Sequence, residues 1–279
     1  MLKYTAPAKI NLSLKVLGKR EDGFHKVDII MARLDLEDEL DFHNSRTTTL
    51  LCDTPGVPTD ESNLVFRAVR EFEKVYGRKA KQRITLTKRI PHGAGLGGGS
   101  ADAGVTLRAL NDIIGTNYDM EELAAMAANL GSDVPFFLNP VLSRCTGRGE
   151  IVKPLPAFAS WSSPVVLLKP QFGVATPTAY KRFAGSRRLQ GIPYGVQEVD
   201  GLRLVNDLEK PVFEKFPVLG LMKRWLLGRE GVRAALMSGS GSTMFALTET
   251  PEQARAVAEA ALAELDPTLF TYCGTVNPQ

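Results

Sequence analysis

From Pro91 to Gly104 the chain reads PHGAGLGGGSADAG, and five of the seven positions from 93 to 99 are glycine. Such backbone freedom costs folding entropy, so a compact chain keeps it where the backbone must bend sharply or approach something closely. Ahead of it, Gln82 to Ile90 (QRITLTKRI) alternates β-branched and apolar residues with polar ones, the pattern of a strand. Behind it, Ser100 to Asn111 carries helix formers with Val105, Leu107 and Leu110 at apolar spacing, and Ser100 is placed to cap that helix. Any fold for this chain has to accommodate the order strand, glycine loop, helix.

That order has a chemical meaning. The first turn of a helix leaves N–H groups unpaired beneath a partial positive charge, and glycines let the backbone close on a polyphosphate without Cβ atoms in the way. The flanking elements speak against a merely flexible surface loop. No lysine follows the glycines, so this is not a Walker loop, and the G-x-G-x-x-G spacing of Gly93, Gly95 and Gly98 carries little weight alone. Lys88 and Arg89, at the end of the strand, either neutralise phosphate or remain solvated.

The 279 residues, 44% hydrophobic and 23% charged, suit a globular protein of one large or two ordinary domains. A net charge of +3 is too small to imply nucleic acid. No window of about 18 apolar residues occurs, and the N-terminal segment alternates apolar and polar residues where a signal peptide needs an unbroken apolar run. Cys52, Cys145 and Cys273 are scattered with no C-x-x-C, which fits a reducing cytoplasm and argues against a thiol-ligated metal.

Ala6 to Leu17 reads as a strand with Ala8, Ile10, Leu12, Leu14 and Val16 on one face and Lys9, Asn11, Ser13 and Lys15 on the other. A lone lysine there is ordinarily a solvated charge, but Asn11 stands one pleat away. Gly18 to His25 is a charged turn. The acids of MARLDLEDELDFH, namely Asp35, Glu37, Asp38, Glu39 and Asp41, read as a hairpin and its solvated face rather than as metal ligands, with a short partner strand within Thr47 to Cys52. Asn63 to Tyr76 is an amphipathic helix, its stripe running from Leu64 to Val75, that starts at Ser62 or Asn63. Asp119 and Glu122 have capping-box spacing for a helix that ends at Gly131. Asp133 follows in GSDVPFFL. It is either a carboxylate held by a rigid apolar turn or the cap of a short helix beginning near Pro135.

The second half opens with a crossing around Cys145 to Pro156 and a buried strand, Pro164 to Pro170. It continues with helices at Thr176–Phe183, Asn206–Phe216 and Val218–Leu227 around a basic loop whose Arg187 and Arg188 read as solvated. Val232 to Met237 then runs through SGSGST into Met244 to Leu247, for which a tight hairpin is the plain explanation. A helix over Pro251–Leu265 and a strand over Leu269–Val276 complete a two-layer α+β pattern.

Three stretches, PAKINLSLKVLGKREDGFH, PHGAGLGGGSADAG with GSDVPFF, and MSGSGSTMFAL, resemble the signature regions of the GHMP kinase superfamily, in order and across almost the whole chain. The first is similar to the family that phosphorylates 4-diphosphocytidyl-2-C-methyl-D-erythritol. The resemblance implies a two-domain α+β GHMP kinase fold. Residues 1–155 would form an ATP-binding, ribosomal-protein-S5-like α/β domain, and residues 156–279 a ferredoxin-like α+β sandwich, with the site between them. It implies Lys9 and Asp133 as the catalytic pair. Asn63 and the run Pro91, His92, Gly93, Ala94, Gly95, Leu96, Gly97, Gly98, Gly99, Ser100 and Ala101 would bind ATP. Asn11, Phe24 and His25 would bind the cytidine diphosphate end of the substrate, with Tyr180 stacking on the cytosine from the other side and the Gly239/Gly241 loop facing the same cleft. Mg²⁺ would bridge phosphate oxygens with no dedicated protein ligand set, and the assembly would be a monomer or a weak homodimer with no nucleic-acid or membrane partner.

Phosphoryl transfer asks for those groups: an in-line hydroxyl, a proton acceptor beside it and positive charge on the transferring group. The chain departs from the family pattern at Ala101, where a second serine is usual, at Gly104, where alanine is usual, and at Phe24, where tyrosine is usual. The other readings are a GHMP kinase for a mevalonate-type alcohol, or a nucleotide-binding regulator without turnover.

Overall fold

The computed structural model describes residues 2–279 and begins with two long antiparallel strands, β1 (Leu2–Lys19) and β2 (His25–Asn44). β1 does not keep one apolar face. Register shifts between Pro7 and Lys9 and between Asn11 and Ser13 turn Ala8, Ile10 and Leu12 into one core and Leu14, with Val16 packed on it, into another. An extra residue at a bulge swaps the faces of all that follows, so simple alternation misassigns them. Lys9, Asn11 and Ser13 are buried.

β2 is a single strand where a hairpin was expected, and its acids are not simply solvated. Asp38 is fully buried, pairs with Lys88 and accepts the backbone N–H groups of Arg89 (2.6 Å) and Ile90 (2.9 Å). That carboxylate ends β4 (Gln82–Thr87) earlier than its periodicity predicts, by diverting the next residues toward itself. β3 (Thr49–Leu51) pairs with β4, and β5 (Ser143–Thr146) pairs with β2 and with β6 (Ile151–Pro154).

Three helices cover this sheet. α1 (Leu64–Tyr76) starts where Asn63 accepts the Val65 N–H at 2.8 Å, though Val75, expected on its buried stripe, is 48% exposed. α2 (Gly98–Ile114) begins within the glycine run, capped by Gly97 in the left-handed region (φ 73°), so Ser100 lies inside the first turn and is not the cap. α3 (Met120–Leu130) has the expected capping box from Asp119 and Glu122.

Past the 3-10 turn Val134–Leu138, the second half runs through β7 (Ser163–Lys169), α4 (Thr176–Arg182), β8 (Gln197–Val199), β9 (Leu202–Asn206), α5 (Glu209–Lys215), α6 (Pro217–Leu227), β10 (Val232–Met237), β11 (Met244–Thr248), α7 (Pro251–Glu264) and β12 (Phe270–Val276). Its antiparallel order β10-β11-β7-β12 is that of a ferredoxin-like sandwich. β12 meets β2 through Val276 and Leu34, and β9 runs parallel to β1. Asn206 therefore ends a strand, where a helix start was expected, and β8 and β9 had no local signal. A core of Ala8, Ile10, Leu12, Leu96, Leu167, Leu236 and Phe245 lies where the two halves meet, along the strand that carries Lys9. Among the described residues no helix is long and apolar enough to cross a membrane.

Candidate active site

Lys9 owes its burial to its strand. Its backbone N–H donates to Leu96 O at 2.9 Å, which moors β1 to the glycine loop, and its side chain is 4% exposed. A buried ammonium without partners is costly. Here Nζ donates to Asn11 Oδ1 (2.7 Å) and Gly95 O (3.0 Å) and stands 3.5 Å from Asp133 Oδ2. The three partners come from the next pleat, from the glycine loop and from the turn beyond α3.

The loop's geometry needs glycine at two positions above all. At Gly95 (φ 76°) a Cβ would lie 2.3 Å from Ser238 O, and at Gly97 it would lie 2.9 Å from Phe137 Cζ and 3.0 Å from Lys9 Cγ. The backbone is thus pressed against both halves of the molecule, while Gly98, Gly99 and Ser100 present the first turn of α2 to the cavity.

Asp133 does not cap the turn that follows it. It precedes the 3-10 turn but makes no side-chain capping bond, which removes the alternative the sequence left open, and its side chain is 33% exposed. Its position comes from the segment behind it, where Val134, Phe136 and Phe137 are fully buried. Burial first, and then the Asp133 carboxylate, push the nearby Cys145 thiol up to about 12; the same two causes raise the Tyr180 phenol.

One cavity of about 1300 Å³ is bordered by Lys9, Asn11, Phe24, His25, Asn63, the whole run Pro91 to Ser100, Asp133 and Tyr180. Ala101 is the exception: it is fully buried, and its N–H donates to Gly97 O at 2.8 Å, so it holds the helix and does not reach the cavity. Asn63 borders the cavity with its carboxamide already engaged, since it caps α1 and donates to Pro58 O at 2.6 Å. Asn11 likewise spends its oxygen on Lys9.

At the far end Tyr180 stacks on His25, with centroids 5.1 Å apart and planes 29° apart, and both border the cavity together with Phe24. Phe24 is 49% exposed and carries the Arg148 guanidinium 5.2 Å from its centroid. Arg148 and Lys181 also border the cavity and were not singled out from the sequence, where neither stands in a recognisable pattern.

Beneath the glycine loop Lys88 bridges Asp38 and Asp102, the latter at 2.8 Å, so it is neither solvated nor free. Burial works against its charge, yet the two carboxylates hold its pKa above the usual lysine value. Burial pushes Asp102 up to about 7 despite Lys88, and its Oδ1 has no partner.

The family models that match are the GHMP kinases N terminal domain, over residues 63–139, and GHMP kinases C terminal, over residues 197–266. The chain is 42% identical over 246 residues to the 4-diphosphocytidyl-2-C-methyl-D-erythritol kinase of Methylacidiphilum infernorum, covering 87% of this chain and 84% of that one. It is 40% identical over 246 residues to the enzyme of the same name from Protochlamydia amoebophila, with 88% and 84% covered. A crystal structure of 4-(cytidine 5'-diphospho)-2C-methyl-D-erythritol kinase superposes over 100% of both chains with a TM-score of 0.79 at 34% identity.

Proposed function

Since the chain belongs to the 4-diphosphocytidyl-2-C-methyl-D-erythritol kinase family of GHMP kinases, we infer that it transfers the γ-phosphoryl group of ATP to the 2-hydroxyl of 4-diphosphocytidyl-2-C-methyl-D-erythritol. The products are ADP and the 2-phosphate, in the non-mevalonate route to isoprenoid precursors. One juxtaposition supports the assignment of the chemistry: a buried ammonium on β1 lies 3.5 Å from a carboxylate 124 residues away and 3.0 Å from a carbonyl of the glycine loop.

In this reading the N–H groups of the glycine loop and of the first turn of α2 hold the nucleotide's phosphates. Asp133 accepts the proton of the attacking hydroxyl. Lys9, 3.5 Å from the Asp133 carboxylate, lowers the hydroxyl's proton affinity and offsets charge on the transferring group. Asn11 aims Lys9. Phe24, exposed and flat, offers a face to the cytosine, and Tyr180, backed by His25, offers one from the other side.

A hard divalent cation takes oxygen ligands and keeps much of its water, so a site with few protein donors suits Mg²⁺. Among the described residues no trio of His, Cys, Asp or Glu forms a metal cage. Ser100, Asp102, Ser132 and Asp133 are among the side-chain oxygens that border the cavity, and phosphate oxygens would supply the rest. When bound, the ion neutralises phosphate charge.

We place the boundary between the two domains near residue 155. The ferredoxin-like strands β7, β10, β11 and β12 all follow it, although the β1–β9 and β2–β12 pairings cross it.

The test of function is substrate-dependent ADP release by the purified protein. Release with the cytidylyl substrate and none with mevalonate is expected; release with mevalonate alone would move the assignment to another GHMP kinase.

A further inference from the structure

We infer that Asn206 is a positioning residue for the phosphoryl transfer: it fixes the Ser238–Gly241 loop over the Lys9 ammonium and thereby sets where Lys9 stands. The inference rests on the reading that Lys9 acts in that transfer.

Several contacts bring the loop to Lys9. Ser238 Oγ donates to Gly95 O at 3.0 Å, and Lys9 Nζ donates to the same oxygen at 3.0 Å, so one carbonyl of the phosphate loop gathers groups from both halves of the chain. Thr243 N donates to Ala94 O at 3.2 Å. Gly239 (φ 56°) approaches so closely that a Cβ there would lie 3.2 Å from Asn11 Oδ1 and 3.4 Å from Lys9 Nζ. The second glycine cluster, for which a plain hairpin was the simplest reading, is thus the wall behind the ammonium.

A loop rich in glycine does not hold such a position unaided. Asn206 is 3% exposed, and its Nδ2 donates to Met237 O and to Gly239 O, each at 2.7 Å. Its Oδ1 accepts the Leu208 N–H at 2.9 Å. A carboxamide with two donors and one acceptor fits this place; aspartate offers no donor, and serine offers one.

What Asn206 stands on is the strand that carries Lys9. Leu14 and Asn206 are register partners in the parallel β1–β9 pairing. Asp207 then clamps the joint, donating its N–H to Leu14 O at 2.9 Å and accepting the Val16 N–H at 2.8 Å. Glu209, buried and paired with Lys223, accepts the Met237 N–H at 3.0 Å. The run Asn206–Glu209 therefore ties β1 to the end of β10, and the loop between β10 and β11 has a fixed height above Lys9.

The test compares Asn206→Asp and Asn206→Ser with the parent in steady-state ADP release, normalised to folded protein. Misplacing a catalytic group by about 1 Å costs on the order of 10²-fold, so kcat should fall roughly tenfold to 10²-fold in Asn206→Asp and less in Asn206→Ser. The KM for ATP should stay within about threefold, because the first turn of α2 and the bond from Lys9 N–H to Leu96 O do not pass through the 238–241 loop. Asn206→Asp combined with Gly239→Ala should be no slower than the slower single variant, since both act through one loop. Parental kcat per folded molecule in Asn206→Asp, or in Asn206→Ser should the aspartate variant not fold, overturns the inference, as does simple additivity with Gly239→Ala. Lys9→Met separates the two levels: its full activity would sink the reading of Lys9, whereas an inactive Lys9→Met beside a fully active Asn206 variant sinks only the role of Asn206.

Discussion

Replacing Gly104 by alanine is expected to destabilise this chain. In the middle of a helix the exchange ordinarily gains about 0.5–1 kcal/mol. Gly104, however, is buried where α2 crosses the turn that follows Asp133, and a Cβ there would lie 2.8 Å from Phe137 Cβ and 3.1 Å from Val134 O. Neither atom sits at the end of a flexible side chain, so the 134–138 segment itself must move. Phe136 and Phe137 are fully buried and in edge-to-face contact at 5.2 Å, which leaves little room for that movement. Overpacking of this kind costs about 1–3 kcal/mol. Since the backbone at Val134 and Phe137 must itself shift, the upper part of that range applies, and a net loss of up to about 2 kcal/mol follows, or a few degrees in Tm. The displaced segment begins next to Asp133, so kcat should drop by roughly tenfold through misplacement of the carboxylate, with the KM for ATP unchanged. Urea unfolding and ADP release on the same preparation measure both effects. A Gly104→Ala protein about 1 kcal/mol more stable than the parent, with its kcat intact, would refute the reasoning from contact distance.

Two further outcomes are expected. Asp133→Asn should lower turnover by ~10²-fold or more, the usual worth of a positioned acid or base, while ATP affinity measured by titration holds; unchanged turnover would remove Asp133 from the mechanism. Asp102 should impose a slope on stability against pH. Its folded-state pKa of about 7 lies above its unfolded value, so between roughly pH 4 and 7 the folded protein binds the extra proton, and unfolding free energy should fall as pH rises through that window and level off above it. Asp102→Asn should flatten that slope in unfolding measured from pH 4 to 8, and a slope that persists would assign the proton elsewhere.

Much of the site was legible because its signals are chemical and short-ranged. The glycine run, the strand before it, the capping box at Asp119 and Glu122 and the cap at Asn63 each involve residues within a few positions of one another. Strand periodicity put Lys9 and Asn11 side by side, and their side chains are hydrogen-bonded. The same periodicity failed wherever a distant group intervened. Bulges in β1 exchanged its faces, and the Asp38 carboxylate bent the chain at Lys88–Ile90 from a strand away. Arg148 gave no pattern to find, because its relation to Phe24 exists only once β2 and the β5–β6 turn are folded together.

Sequence alone was enough to establish that the chain holds a glycine-rich turn at a helix start, a lysine on a strand and a carboxylate after a helix, since these follow from backbone sterics, hydrogen-bond needs and hydrophobic spacing over a few residues. Whether that lysine is solvated or buried, whether that carboxylate caps or stays free, and which glycine loop faces which were decided in three dimensions. The reason is physical: an ammonium's partners at Asn11, Gly95 and Asp133, and the amide of Asn206 that steadies the loop behind it, lie close only after β1, the glycine loop and the second half of the chain have packed around one buried seam.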